Sequence, residues 1–229
     1  MQKLFVKFAG APTVRACVGE SEAVNTLKRA ERIYRDLAHP NLVKLLEAEE
    51  IGGGYAMVFE WADAECMHPM YPLSRRKFLA APIKTRLRMF DDILIFHAHV
   101  INKGYIAVDF YDGSVMYDFN NRRTIICDID FYRKTPCFND MGRMWGSSRF
   151  MSPEEFTLGA ELDEVTNVYT MGAAAFALFG DETDRVIRNW KLNDSSFQIA
   201  KKAVGGERRE RQRSIVQFID EWNAALNQK

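Results

Sequence analysis

Residues 105–132, YIAVDFYDGSVMYDFNNRRTIICDIDFY, set an apolar, hairpin-like middle between carboxylates at both ends. Aspartates beside a core cost free energy unless a positive group faces them. Asn120-Asn121 suits a two-residue hairpin turn, because Asn tolerates positive φ. Pairing symmetrically about that turn puts Ser114 opposite Cys127 and Gly113 opposite Asp128. Asp128 and Ser114 then leave the hairpin at the same end, with Asp109 just ahead of it. Two carboxylates and a hydroxyl can hold a hard cation together with a phosphate. The same residues can equally be turn aspartates facing water, and the spacing alone leaves both readings open.

The flanking chain supplies the elements around this stretch. KLFVKFAGAPT reads as a strand ending at Gly10 and Pro12. SEAVNTLKRAERIYRDLAHPN reads as a helix capped by Ser21, with Ala23, Leu27, Ala30, Tyr34 and Leu37 on one face and Pro40 at its end. LVKLLEAEEI and YAMVFEW read as two strands around a Gly52-Gly53-Gly54 turn. That turn is not a phosphate loop, since no helix with Lys-Ser/Thr follows it. A Pro-rich connection with one short helix leads into a long amphipathic helix, IKTRLRMFDDILIFHAHVINKG, ending at Gly104. VYTMGAAAFALFG (168–180) is a buried core helix, too short to span a bilayer. The expected class is α+β, with a mostly β part before about Ala62 and a mostly helical part after it.

Composition narrows the function classes. Lys+Arg and Asp+Glu are equal at 31 each, so net charge draws the chain neither to nucleic acid nor to an anionic membrane. Cys17, Cys66, Cys127 and Cys137 lack metal-ligand spacing and read as reduced thiols of a cytoplasmic protein. The apolar run in MQKLFVKFAG is too short for a signal peptide. His97 and His99, two apart on a helix, point to different sides and read as ordinary packing or solvent-facing residues. ERRERQR (207–213) reads as a solvated face, Arg211 excepted, and FYRKTPCFNDMGRMWG as an exposed segment.

The order of these elements resembles the protein-kinase fold from about Lys3 to Phe218. HPNLVKL resembles the end of the kinase αC helix and the strand after it. YAMVFEWADAE resembles the strand leading into the hinge, with Phe59 as gatekeeper. YIAVDFYDGSVM stands where the catalytic loop H-R-D-x-x-x-x-N belongs, and ICDIDFY where the strand and D-F-G belong. MSPEEF is similar to A-P-E at Ser152-Pro153-Glu154, NVYTMG to the opening of helix αF, and Arg211 to the arginine that pairs with the A-P-E glutamate.

The resemblance implies a bilobal protein-kinase-like fold, with residues 1–61 as an abbreviated N-lobe and 62–229 as the C-lobe, similar to the compact Ser/Thr kinases of bacteria. It implies ATP and Mg²⁺ (or Mn²⁺) as cofactors and Ser/Thr of a protein as acceptor. Asp109 would be the base and Asp128 the principal metal ligand, with Ser114 at the second-metal position. Lys7 would neutralise the α- and β-phosphates. The backbone of Glu60 and Ala62 would hold the adenine, and Glu65 the ribose. Asp130 replaces the D-F-G glycine, and the resulting D-x-D resembles the metal-binding pattern of aminoglycoside and choline kinases.

Departures from the family pattern are specific. Ala107 and Val108 replace His-Arg, so a phosphorylated activation loop loses its usual anchor. Tyr111 replaces the catalytic-loop lysine, and Asn167 the αF aspartate. Ala30 falls where the αC glutamate belongs, with Glu31 one residue round the helix, so a Lys7–Glu31 pair needs a small shift in register. The Gly-rich loop has no counterpart: either upstream residues are missing, or nucleotide binds weakly or not at all. Three functions follow, namely a Ser/Thr protein kinase, a pseudokinase acting as an interaction module, and a small-molecule kinase.

Overall fold

A computed structural model describes residues 3–12 and 18–227; Cys17 and the first two residues of the N-terminal apolar run lie outside them. The chain is an α+β protein. Strand β1 (Leu4–Ala9) is followed by helix α1 (Glu20–Asp36), then by β2 (Leu45–Ile51) and β3 (Gly54–Glu60). These strands form one antiparallel sheet in the order β1-β3-β2, with Lys7 opposite Met57 and Phe5 opposite Phe59. Gly52 and Gly53, at φ 59° and 79°, make the two-residue turn between β2 and β3, a conformation whose twist suits a hairpin and which glycine adopts without strain.

Helix α1 lays Leu27, Ala30, Ile33 and Tyr34 against this sheet, the apolar stripe its sequence period dictates. Its ends differ from expectation. The helix starts at Glu20, with Gly19 at the cap position and no side-chain cap bond, so Ser21 lies inside the first turn and is not the cap. It stops at Asp36, four residues before Pro40. Proline already restricts His39 before it, and the chain turns there, with Leu42 N–H donating to the His39 carbonyl.

The remainder is mostly helical. After β4 (Glu65–Cys66) and α2 (Pro72–Ala80), helix α3 (Ile83–Asn102) runs to Gly104 at φ 72°. Next come β5 (Tyr105–Ile106), β6 (Val115–Asp118), β7 (Arg123–Ile126), β8 (Arg133–Lys134), β9 (Cys137–Phe138) and β10 (Glu161–Leu162). Helices α4 (Glu164–Phe179), α5 (Asp194–Ala203) and α6 (Ile215–Leu226) complete the chain. Among the described residues no helix is long and apolar enough to cross a membrane, and Cys66, Cys127 and Cys137 are free thiols.

The β6–β7 register matches the symmetric expectation, since Cys127 N–H donates to the Ser114 carbonyl at 3.0 Å. The turn is longer than two residues, however: pairing stops at Asp118–Arg123, and Arg122 rather than an Asn takes positive φ. The Asp118 carboxylate ends the ladder early by accepting from the backbone N–H groups of Asn120 and Asn121. The segment 131–146 is not simply exposed. Cys137 and Met144 are buried with Val108, Met151 and Leu162 in a small second core.

Helix α4 is the axis of the helical part. Val168 and every residue from Thr170 to Phe179 are buried, as expected of a helix apolar on all sides. Its N-terminus is capped by Asp163, which accepts from Val165 N–H at 2.7 Å. Gly172 lets α5 approach closely; a Cβ there would sit 2.7 Å from the Ala203 side chain. The polar exception that matters is Asn167. Fully buried, it accepts from Ala107 N–H and donates to the Ala107 carbonyl, both at 2.8 Å. One amide thereby satisfies both backbone groups of a residue next to β5. Asn167→Ala should leave that pair unsatisfied and lower stability by about 2–4 kcal/mol, measured by urea unfolding; a change below measurement error would remove this role.

Candidate active site

Two aspartates are presented by the same local device. Asp109 has φ 65° and Asp128 φ 57°, a left-handed conformation that Asp enters more readily than most residues. Each sits between fixed neighbours. Ala107 is held by Asn167, and Phe110 packs on His97 with ring centroids 4.3 Å apart. On the other segment Cys127 is tied to Ser114, and Ile129, fully buried, donates its N–H to the Tyr34 hydroxyl. The chain is anchored on both sides of each aspartate. His97 supports this floor as a neutral ring. It contacts the Ile93 carbonyl and the Tyr132 hydroxyl, and burial lowers its pKa to about 4.

Lys7 reaches the second aspartate from β1. Its Nζ lies 2.6 Å from Asp128 Oδ1 and 2.8 Å from Asp130 Oδ1. Burial works against the ammonium, but Asp130 and then Asp128 outweigh it, and its pKa lies above the ordinary lysine value. Glu31 takes no part: it pairs with the Tyr55 hydroxyl and with Arg35, so no Lys7–Glu31 ion pair forms, and Ala30 is fully buried. Helix α1 touches the site through Tyr34 instead, whose hydroxyl donates to Asp130 Oδ1 at 3.0 Å.

Lys7, Phe59, Glu60, Ala62, Glu65 and Asp128 line one cleft of about 980 Å³. Phe59, 1 % exposed, closes it at the back against Tyr34. The Glu65 carboxylate accepts from Ser74 and pairs with Lys77, which ties the cleft's rim to α2. Tyr111, Gly113 and Cys127 also line it. Asp130 does not line this cleft; with Lys7 it borders a second cavity of about 1040 Å³ between α1 and residues 131–145. Ser114 is fully buried, and its hydroxyl has no hydrogen-bond partner among the described residues. No group of three or more His, Cys, Asp or Glu side chains among them is arranged to hold a metal ion.

Glu154 and Arg211 form a two-pronged ion pair at 2.7 and 3.1 Å. Arg211, 3 % exposed, also donates to the carbonyls of Gly205 and Gly206 and lies over the Tyr169 ring. A second buried network went unread in the sequence. Asp112, fully buried, takes two bonds from Arg149 at 2.8 and 2.9 Å and one from Arg75 at 3.0 Å, and Glu182 pairs with both arginines. Its partners lie 37 residues away on either side, so no local pattern marks it. The network locks the loop after Asp109 to α2 and to the segment before Ser152.

Burial, then Asp128 and Asp130, pushes the Asp109 carboxyl up to about 7, against the pull of Arg143 and Lys7. A folded-state value above the ordinary 3.8 means that ionisation costs folding free energy. That cost is absent below about pH 4, grows as pH rises through 7, and is complete above it. Asp109→Asn should therefore raise the thermal midpoint of the ligand-free protein at pH 8, with the gain shrinking toward zero at pH 4. An equal shift at both pH values would sink the desolvation account. No protein-family model matches this chain, and no curated protein matches it in sequence, so the site stands on its own geometry.

Proposed function

We propose that the chain adopts a bilobal protein-kinase-like fold, with residues 1–61 as an abbreviated N-lobe, and that it transfers phosphate from ATP to Ser/Thr of a protein. The observation that carries this reading is the meeting of Lys7, from β1, with Asp128, from the segment after β7, at one largely apolar cleft. Asp109 does not line that cleft but lies near enough for both charges to act on its carboxyl. The size of the cleft suits a nucleotide. Phe5, Phe59 and Met116 offer apolar surface for a base, and the chain from Glu60 to Ala62 offers backbone groups at its edge.

The residues present fit a hard divalent cation. Mg²⁺ takes one or two protein oxygens and otherwise waters and phosphates, so it does not need a cluster of three or more ligating side chains of the kind missing among the described residues. Asp128, with its side chain 46 % exposed, is the accessible carboxylate of the cleft. The Ser114 hydroxyl lacks a partner among the described residues but is fully buried and does not line the cleft. When bound, the cation neutralises phosphate charge as it develops in transfer. Lys7 contributes a fixed positive charge at the cleft. Asp109, partly buried and held between Ala107 and Phe110, orients the acceptor hydroxyl and takes its proton.

A second reading, a pseudokinase serving as an interaction module, is favoured by one contact. Lys7 Nζ lies between Asp128 and Asp130, where it offsets the negative charge a cation would need. Transfer from γ-labelled ATP with Mg²⁺ or Mn²⁺ to a generic acceptor protein separates the two. Asp109→Asn should abolish transfer and leave nucleotide binding nearly intact, whereas Asp128→Asn should weaken metal-dependent binding. Wild-type transfer rates in both variants would refute the site. Absence of both transfer and an ATP-induced thermal shift in the wild type would favour the pseudokinase.

A further inference from the structure

The two aspartates that share Lys7 are held very differently. Asp128 is half exposed, and Lys7 is its one side-chain partner among the hydrogen bonds and ion pairs of the described residues. Asp130 has a side chain only 15 % exposed, and its Oδ1 receives two donors, Lys7 Nζ and the Tyr34 hydroxyl. Tyr34 is itself fixed. It is 3 % exposed on the buried face of α1, its ring meets Phe59 edge-on at 4.9 Å, and its oxygen accepts from Ile129 N–H. Burial, and after it the charges of Asp130 and Asp128, raise the Tyr34 pKa well above its ordinary value, so the phenol remains a donor.

From this asymmetry we infer that Asp130 is the permanent anchor of Lys7, held to helix α1 by Tyr34, and that Asp128 alone exchanges the lysine for a metal ion. The inference deepens the nucleotide reading given above and rests on it for the metal. Three observations favour it over a role for Asp130 as a metal ligand. Asp130 is absent from the lining of the nucleotide cleft, where Asp128 is present. The two donors on Oδ1 compete with any cation for that oxygen. Glu31, the helix carboxylate one residue from the position expected to hold the lysine, is committed to Tyr55 and Arg35. Tyr34 therefore links α1 to Lys7 through a carboxylate borrowed from the segment after β7. Asp130 and Tyr34 are positioning residues: they set where the lysine amine stands and touch no reacting atom.

The division of labour predicts two separable effects. In fluorescent-ATP binding titrated with Mg²⁺, Asp128→Asn should raise the half-saturating metal concentration about tenfold, the loss of one charged ligand. Asp130→Asn should leave that concentration within about twofold and weaken nucleotide binding about tenfold instead. Tyr34→Phe should act in the same direction as Asp130→Asn, with a smaller loss, and add little to it in the double variant. Asp130→Glu should recover part of the affinity. A shift in metal requirement for Asp130→Asn as large as that for Asp128→Asn would overturn the assignment.

A second readout needs no nucleotide. Acetylation of Lys7 in the ligand-free protein by acetic anhydride, followed by site-resolved mass spectrometry, reports how firmly the amine is held. It should be faster in Asp130→Asn than in Asp128→Asn, and faster than wild type in Tyr34→Phe, with circular dichroism checking that each variant is folded. If wild type binds no nucleotide, the functional reading fails while this measurement still decides the anchor. Equal acetylation rates in Asp130→Asn and Asp128→Asn would overturn it.

Discussion

The structure depends on one buried amide. Helix α4 is apolar on nearly every side and packs as the axis of the helical part, and Asn167 is the point at which that axis grips the chain near the site. By accepting from and donating to the same residue, its side chain imitates a neighbouring strand. Ala107 is thereby fixed against a helix buried along nearly its whole length, and Asp109 lies two residues later. An aspartate at position 167 could accept from the N–H but would face the carbonyl with a second acceptor. The amide is the better match for a backbone pair with no arginine beside it, the residues there being Ala107 and Val108.

The sheet of residues 4–60 and helix α1 meet the rest of the chain through hydrogen bonds and ion pairs at several points. A parallel bridge joins Leu42 to Ile126, with Val43 N–H donating to the Ile126 carbonyl at 2.8 Å. Lys7 and Tyr34 add polar contacts to Asp128 and Asp130. Those side chains have a structural role of their own: they tie β1 and α1 to the segment after β7. A ligand that draws Asp128 from Lys7 also loosens part of this attachment, so binding and the placement of the sheet are coupled by the same atoms.

Much of this was legible in the sequence where signals are local. The 3.6-residue period gave most of the buried face of α1, though it missed Ile33. The run of three glycines gave the β2–β3 turn, of which Gly52 and Gly53 are the loop. The symmetry of the β6–β7 hairpin gave the register that brings Ser114 beside Cys127. What could not be read depends on partners far along the chain. Asp112 looks like an ordinary turn residue until Arg75 and Arg149 arrive from both directions. Tyr34 looks like one more core aromatic, because nothing in the helix shows that its hydroxyl meets Asp130. Element ends were also misjudged for a physical reason. Ser21 has the right chemistry for a cap, but the cap falls two residues earlier, at Gly19, and Glu20 and Glu22 in the first turn suit the positive end of the helix dipole.

The left-handed backbone at Asp109 and Asp128 has a consequence for the history of such a site. At φ near +60° the tolerated side chains are few, chiefly glycine, asparagine and aspartate. Most replacements at these two positions are opposed by sterics before chemistry is considered, yet the exchange of Asp for Asn is nearly free of backbone strain. The scaffold therefore holds open a short, reversible route between charged and uncharged versions of the same surface. A lineage carrying this fold can abandon or regain the carboxylates without rebuilding the loops that present them.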